Sequence, residues 1–227
     1  MARWFGLGDA SSRISFDNAC ANKFRKPLDL LGPATLRLPN FTTYDADRGQ
    51  ASVIAKPLLN LNELQEDDNE LKAEGILSLV LLLDQCSRNI FRQDQTLVYQ
   101  HYDRLARALV YCMLGLQVES PISSIDTKSS FRSQPPWRSW LYMPLMHSED
   151  LQDHKLFTDK INNMVQEQQQ KDQAKDYISS IRQFEEKHNR ILKRFGRYPH
   201  RNQAMKREAT PAEISWLQEG GDTFGTR

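Results

Sequence analysis

The stretch Glu70–Arg92, ELKAEGILSLVLLLDQCSRNIFR, decides the fold class. From Ile76 to Leu83 it is apolar with only Ser78 interrupting, far short of the ~20 residues a membrane-spanning helix needs, and it reads as a buried helix. Working outward, the same helical periodicity dominates and alternating β-branched stretches are scarce. Leu97–Leu116 reads as a second helix with Leu97, Leu105, Leu109 and Cys112 on one side. A first helix lies within Phe5–Leu31 and is stopped by Gly32-Pro33. Residues 33–69 carry Pro33, Pro39, Pro57 and the acidic run Glu66-Asp67-Asp68, and read as a long loop with short helical pieces, a lid or an insertion. Residues 117–136, with Pro121, Pro135, Pro136 and many serines, read as a second irregular segment. Ser148 before Glu149-Asp150 predicts a helix start, running towards Gln166. Another helix is expected over Lys171–Arg194, and the Gln-rich stretch 166–173 reads as a solvated helix face. Thr210-Pro211-Ala212-Glu213 combines a cap, a proline at the first helical position and a reciprocal glutamate. The expectation is one all-α domain over residues 1–227, an antiparallel helical bundle or array.

The composition narrows the function classes. Thirty Lys+Arg against 29 Asp+Glu leave a formal charge of +1, so there is no global field to attract nucleic acid or membrane. A hydrophobic fraction of 39% and a mean hydropathy of −0.64 fit a polar globular protein. Cys20, Cys86 and Cys112 are far apart and form no C-x-x-C pair, which argues against a disulfide framework or a thiolate zinc site. Met1–Gly8 has no signal-peptide apolar stretch, and residence in the cytoplasm is expected.

Three constellations carry chemistry. In Asp84-Gln85-Cys86-Ser87-Arg88-Asn89 the pairs Asp84/Arg88 and Gln85/Asn89 share helix faces at i,i+4, beside a wall of Leu and Val. This is either a buried tie between helices or part of a site, and Cys86 reads as a small buried filler. In His147-Ser148-Glu149-Asp150, with Asp153 and His154 a turn later, Asp150 and His154 lie at i,i+4 and with His147 could make a metal site; the spacing matches no specific zinc motif, and helix capping explains Ser148, Glu149 and Asp150 equally well. Lys187–Arg207 places eight Lys and Arg in 21 residues without a carboxylate, a local anion trap. Phe195 and Tyr198 interleave aromatics there, but no recognised nucleic-acid module surrounds them. Within that stretch His188 falls on the apolar stripe Tyr177, Ile181, Phe184, His188, Ile191, Phe195, so its imidazole is expected to point inward.

Together these motifs resemble the domain-of-unknown-function 924 family. The resemblance rests on Leu81-Leu82-Leu83-Asp84-Gln85 with Arg88-Asn89-Ile90-Phe91-Arg92, then Arg138 before Tyr142-Met143-Pro144-Leu145 and His147-Ser148-Glu149-Asp150. It continues in His188 ahead of Phe195-Gly196-Arg197-Tyr198-Pro199-His200-Arg201-Asn202, and in Thr210-Pro211-Ala212-Glu213. It runs from about residue 70 to the C-terminus and implies a tetratricopeptide-like array of antiparallel helices. Carried over by motif, the family's polar signature falls on Asp84, Gln85, Arg88, Asn89, Arg92, Asp103, Arg138, His147, Ser148, Glu149, Asp150, His188, Arg197, His200, Arg201 and Asn202. His154 stands where the family usually has Gln, Lys206 replaces a Gly, and residues 33–69 look longer than the family connection.

The family name supplies no reaction, but the residues imply one kind of chemistry. Histidines move protons, carboxylates orient them, and arginines hold an anion. The expectation is a cofactor-independent enzyme acting on a small anionic or carbonyl substrate by hydrolysis, isomerisation, elimination or cyclisation. His147, His200, Glu149, Asp150, Asp84 and His188 are the catalytic candidates. Arg88, Gln85, Asn89, Arg92, Arg138, Ser148, Arg197, Arg201 and Asn202 are the substrate-binding ones. No metal ligands and no nucleic-acid or membrane partner are expected. The alternatives are a helical adaptor that takes an acidic peptide or carboxylate in the same basic groove, and a purely structural network.

Overall fold

A computed structural model describes residues 10–63, 69–116, 120, 122–167 and 173–225. The described residues contain helices and no strand, and no helix among them is long and apolar enough to cross a membrane. The acidic run 66–68, Pro121, and the predicted starts at Phe5 and Lys171 lie outside the described residues, as do Met1–Gly8 and residues 168–170 of the Gln-rich stretch.

The helices are α1 (Ala10–Leu30), α2 (Tyr44–Gly49), α3 (Ala51–Glu63), α4 (Asn69–Val80), α5 (Ser87–Ile90), α6 (Asp103–Met113), α7 (Ser129–Arg132), α8 (Pro135–Met146), α9 (Leu151–Glu167), α10 (Gln173–Phe195) and α11 (Pro211–Gln218). The deciding stretch is helical as far as Ile90, short of the expected Arg92, and α4 and α5 are joined by a π-helical turn over Leu81–Cys86. The wider turn changes the helix phase where Leu83, Asp84, Gln85 and Cys86 are all buried. A second π-helical turn, Val98–Tyr102, leads into α6.

Every residue of α6 is buried, so it forms the centre of the domain, with α3 and α8 packed against it. α9 packs on α8, α10 on α9, and α1 on α5. Buried charges on such a helix need partners. Asp47 of α2 supplies one for Arg104, at 2.7 and 2.8 Å, and stands 3.4 Å from Arg107.

Three expectations need correction. Residues 33–69 are not mainly loop, because α2 and the 13-residue α3 fill much of the segment and Ile54, Ala55 and Leu58 of α3 lie in the main core. Pro57 sits inside α3 and does not end it. In 117–136, the short α7 and a 3₁₀ turn at Ile125–Thr127 give the irregular stretch more helix than its prolines and serines imply. The α9 start is also displaced: Ser148 Oγ accepts from the Asp150 N–H at 3.2 Å, and Asp150 itself caps Gln152 at 3.0 Å. At α11 the capping box forms as expected from Thr210 and Glu213.

Because Asp47 faces Arg104 and Arg107 with little solvent at hand, Asp47→Ala should cost about 3–5 kcal/mol, the scale for stranding a buried charge. Urea unfolding measures it. A loss under 1 kcal/mol would mean the two guanidiniums find water or other acceptors.

Candidate functional site

A cavity of about 480 Å³ opens where the π turn and α5, the end of α8, the C-terminal half of α10 and the chain after α11 meet. Gln85, Arg88, Asn89 and Arg92 form one wall. His147, His188, His200 and Arg201 form the opposite side, with Met143, Met146 and Phe184 supplying apolar surface. Residues from all three quoted motif regions therefore face one space.

Asp84 lies behind that wall, wholly buried. One carboxylate oxygen accepts from His147 Nδ1 at 2.8 Å and the other from the Gln85 amide at 2.5 Å, while Arg88 stands 3.3 Å away. Burial acts upward on this carboxyl, yet His147, Arg88 and Gln85 together outweigh it and hold it down to about 2. With Nδ1–H committed to Asp84, the His147 tautomer is fixed and Nε2 carries the free lone pair on the cavity side. Burial lowers the His147 pKa, against the pull of Asp84, so the ring is neutral at pH 7.

His188 donates Nδ1–H to the Phe184 carbonyl at 2.8 Å, which likewise leaves Nε2 as an acceptor. Its ring centre is 6.1 Å from that of His147. The stripe position did turn it inward, and the inside there is a cavity wall. His200 Nδ1 is buried without a hydrogen-bond partner. Burial is the main force depressing both His188 and His200 well below the usual histidine range; His147 and Arg201 add to it respectively.

The cavity arginines differ in what they already hold. Arg88 forks onto Asp103 at 2.6 and 3.0 Å, and Arg92 forks onto Asp17 at 2.5 and 2.9 Å. Arg201 is only 7% exposed and makes no side-chain hydrogen bond among the described residues. Its guanidinium lies between Tyr99 and Tyr198, 4.4 and 4.6 Å from the ring centres, and an Asp103 carboxylate oxygen is 4.0 Å away.

Several candidates do not reach the cavity. Glu149 forks onto Arg207 at 2.6 and 2.9 Å and accepts from the Tyr198 N–H at 2.8 Å. Asp150 pairs with Arg48, and Arg197 forks onto Glu213 at 2.7 and 2.9 Å. Arg138 binds Glu167 and Tyr142, Asn202 is buried away from the cavity with neither amide atom hydrogen-bonded among the described residues, and Ser148 serves the turn before α9. These contacts tie elements together and give no surface for a ligand. His154 is wholly buried, with its nitrogens on Glu185 and the Ser148 carbonyl at 2.7 and 2.9 Å. Among the described residues no three His, Cys, Asp or Glu side chains are grouped to hold a metal ion. Burial raises the Cys86 thiol to about 12, as befits a filler.

Sequence reasoning missed Tyr99, Gln95 and the tail segment Gly220–Gly225, which lines the cavity with Phe224 at its centre. Its signal was the glycine spacing of Gly220-Gly221-Asp222-Thr223-Phe224-Gly225. α11 ends in a Schellman motif, with the Gly221 N–H on the Trp216 carbonyl at 2.9 Å, the Gly220 N–H on Leu217 at 3.3 Å, and Gly220 at φ +90°. A Cβ on Gly221 would meet the Trp216 ring at 2.4 Å, so only glycine fits.

Fold and cavity define an all-helical protein with a buried cleft lined by histidine and arginine. By its match to the family model described as "Bacterial protein of unknown function (DUF924)", over residues 1–221, the chain belongs to that family. The match reaches well upstream of residue 70, where the motif resemblance began. Among solved structures it is similar to the protein of unknown function ATU0120 from Agrobacterium tumefaciens, with 25% identity over 91% of this chain and 86% of that one and a TM-score of 0.52. A search of curated proteins finds no match.

The buried neutral histidines set a pH dependence. An unfolded histidine titrates near 6.5 and the folded ones lower, so below about pH 6.5 the unfolded chain binds more protons and stability falls. Thermal unfolding should show a melting temperature that drops as pH falls from 7 to 5.5. In His188→Gln that slope should be shallower by about one proton. An identical slope in the variant would place the His188 pKa near its unfolded value.

Proposed function

We propose that the protein is a small-molecule enzyme that works by proton transfer without a cofactor, on a substrate carrying an anionic or carbonyl group. The observation that carries this reading is the Asp84–His147 pair. A wholly buried carboxylate fixes the imidazole through Nδ1, and the ring is neutral with its Nε2 lone pair beside a cavity. A base of that kind takes a proton from carbon, nitrogen or water, and Asp84 steadies the imidazolium as it forms. Arg201 is the group that meets the negative charge of a substrate or of the developing transition state, since it already lies in a dry setting without a competing hydrogen bond. His188, whose ring centre is 6.1 Å from that of His147, is placed to relay or return the proton, and His200 lines the same cavity with an unpartnered Nδ1.

An adaptor that holds a peptide is the second reading, and one observation favours it. The chain's own segment Asp222–Gly225 already runs along the cavity, with Arg92 donating to the Gly225 carbonyl at 3.3 Å.

A library of small carboxylates, esters, lactones and keto acids, followed by NMR for turnover with wild type and His147→Ala side by side, separates the two. Turnover in wild type and a loss of about 10²-fold or more in His147→Ala, with unchanged unfolding behaviour, is expected. The wild-type rate should fall as pH drops through a value below 6.5, because the base works only when neutral. In Asp84→Asn that limb should move to still lower pH, since the attraction raising the His147 pKa is gone, while the neutral-pH rate drops through lost orientation. Chelators should leave the rate intact. Full activity of His147→Ala, or activity lost on chelation and restored by a divalent ion, would overturn the mechanism.

A further inference from the structure

The hydrogen bonds that the cavity's arginines already make say what kind of group it takes. Arg88 is neutralised by Asp103 and Asp84, and Arg92 by Asp17. Lys187 and Asp222 are exposed at the rim and opposite in sign. Among the described residues Arg201 is the cavity guanidinium without a side-chain hydrogen bond: its Nε is buried and unpartnered, and the Asp103 carboxylate stays at 4.0 Å, beyond hydrogen-bonding reach. A single guanidinium with hydrogen-bonding capacity to spare takes a single carboxylate group. Tyr99 and Tyr198 hold the guanidinium by ring contacts that use none of its N–H groups, and a fork of parallel N–H groups fits a flat carboxylate.

A second observation gives the shape of the rest of the ligand. The Phe224 ring lies flat on His188, centres 3.6 Å apart and planes within 9°, with Tyr198 and His200 presenting ring edges at 6.3 and 5.9 Å. This is a slot for a planar ring, and it is filled by the chain itself. The segment that fills it begins beyond Gly220 and Gly221 and carries Gly225 at φ +82°; Phe224 sits at φ +51°, where a bulky side chain is rarely found.

Building on the reading of this cavity as the ligand site, we propose that it binds a planar aromatic or conjugated monocarboxylate, with the carboxylate on Arg201 and the ring in the slot now held by Phe224. The Gly220–Gly225 strap swings out to admit it. Phe224 is thus an internal competitor that stands in for the ligand ring, and it sets a threshold that a non-planar acid does not overcome.

The test titrates benzoate, cyclohexanecarboxylate and benzyl alcohol into the full chain by calorimetry, with wild type, Phe224→Ala, Arg201→Gln and His147→Ala, each checked by thermal unfolding. Benzoate should bind wild type at least about 10-fold tighter than the other two, because only it satisfies both edge and slot. Phe224→Ala should tighten benzoate by about 10-fold, since a site freed of its competitor is open in every molecule. Arg201→Gln should weaken it by at least about 10-fold; if that variant misfolds, Arg201→Lys, which keeps the charge and loses the fork, should fold and still weaken it. Equal affinity for cyclohexanecarboxylate, or unchanged or weaker benzoate binding in Phe224→Ala, would overturn the proposal. The two readings fail separately. Benzoate binding that survives in His147→Ala, with no turnover found for wild type, sinks proton-transfer catalysis and keeps this ligand class; His147-dependent turnover confined to substrates without ring or carboxylate does the reverse.

Discussion

A carboxylate at Asp84 has no access to water, and the domain is arranged around keeping it charged. An isolated buried carboxylate would neutralise by taking up a proton; three donors at hydrogen-bonding or ion-pair distance prevent that. Arg88, one of them, is itself steadied by Asp103, which sits where the π-helical turn runs on into α6. α6 in turn is buried on every side. The chain His147, Asp84, Arg88, Asp103 thus runs from the cavity wall into the centre of the core. A change at any member alters the electrostatics of the others, so effects of single substitutions along it will not add.

The two guanidinium environments show how one residue type is given opposite tasks. Arg88 and Arg92 have carboxylates on their edges and serve as fixed donors of the scaffold. Arg201 has tyrosine rings on its faces instead, a contact that holds the plane without using the N–H groups. Its positive charge, with the burial of the rings, also keeps the neighbouring His188 and His200 neutral. A basic cavity lined with neutral imidazoles presents acceptors and a cation together, which suits a substrate that both carries an anion and gives up a proton.

Local spacing made part of this legible in the sequence. Asp84 and Arg88 at i,i+4, the capping residues at Thr210 and Glu213, and the stripe carrying His188 follow from helix geometry within a few residues. The helix α3 escaped because Pro57 reads as a breaker, although Ile54, Ala55, Leu58 and Leu59 are spaced as a buried face. The pairings that removed Glu149, Asp150 and Arg197 from the site join Arg207, Arg48 and Glu213, and two of those three span more than 50 residues. A cluster of polar motifs shows that charges must be paired, and only the fold decides which pairs close on each other and which edge stays open. Arg197 and Arg201 lie on one short connection, yet one is spent on Glu213 and the other is not.

The placement of the strap has a mechanical consequence. Trp216 of α11 belongs to the small apolar cluster formed by Ile191, Leu192 and Tyr198, which also props the Arg201 sandwich. If the strap left by unwinding α11, opening the cavity would disturb that sandwich and loosen the anion anchor at the moment of binding. The Schellman turn at Gly220 and Gly221 satisfies the last α11 carbonyls before the strap begins, and Gly221 packs directly on the Trp216 ring. The strap can therefore rotate about the backbone beyond Gly221 without unwinding α11, at the cost of the Phe224 contact with the Tyr198 cluster and of the Arg92–Gly225 hydrogen bond. Displacing Phe224 gives up its stack on His188 and its edge contacts with Tyr198 and His200, and a planar ligand ring in the same slot restores all three, so the site need not reorganise around it.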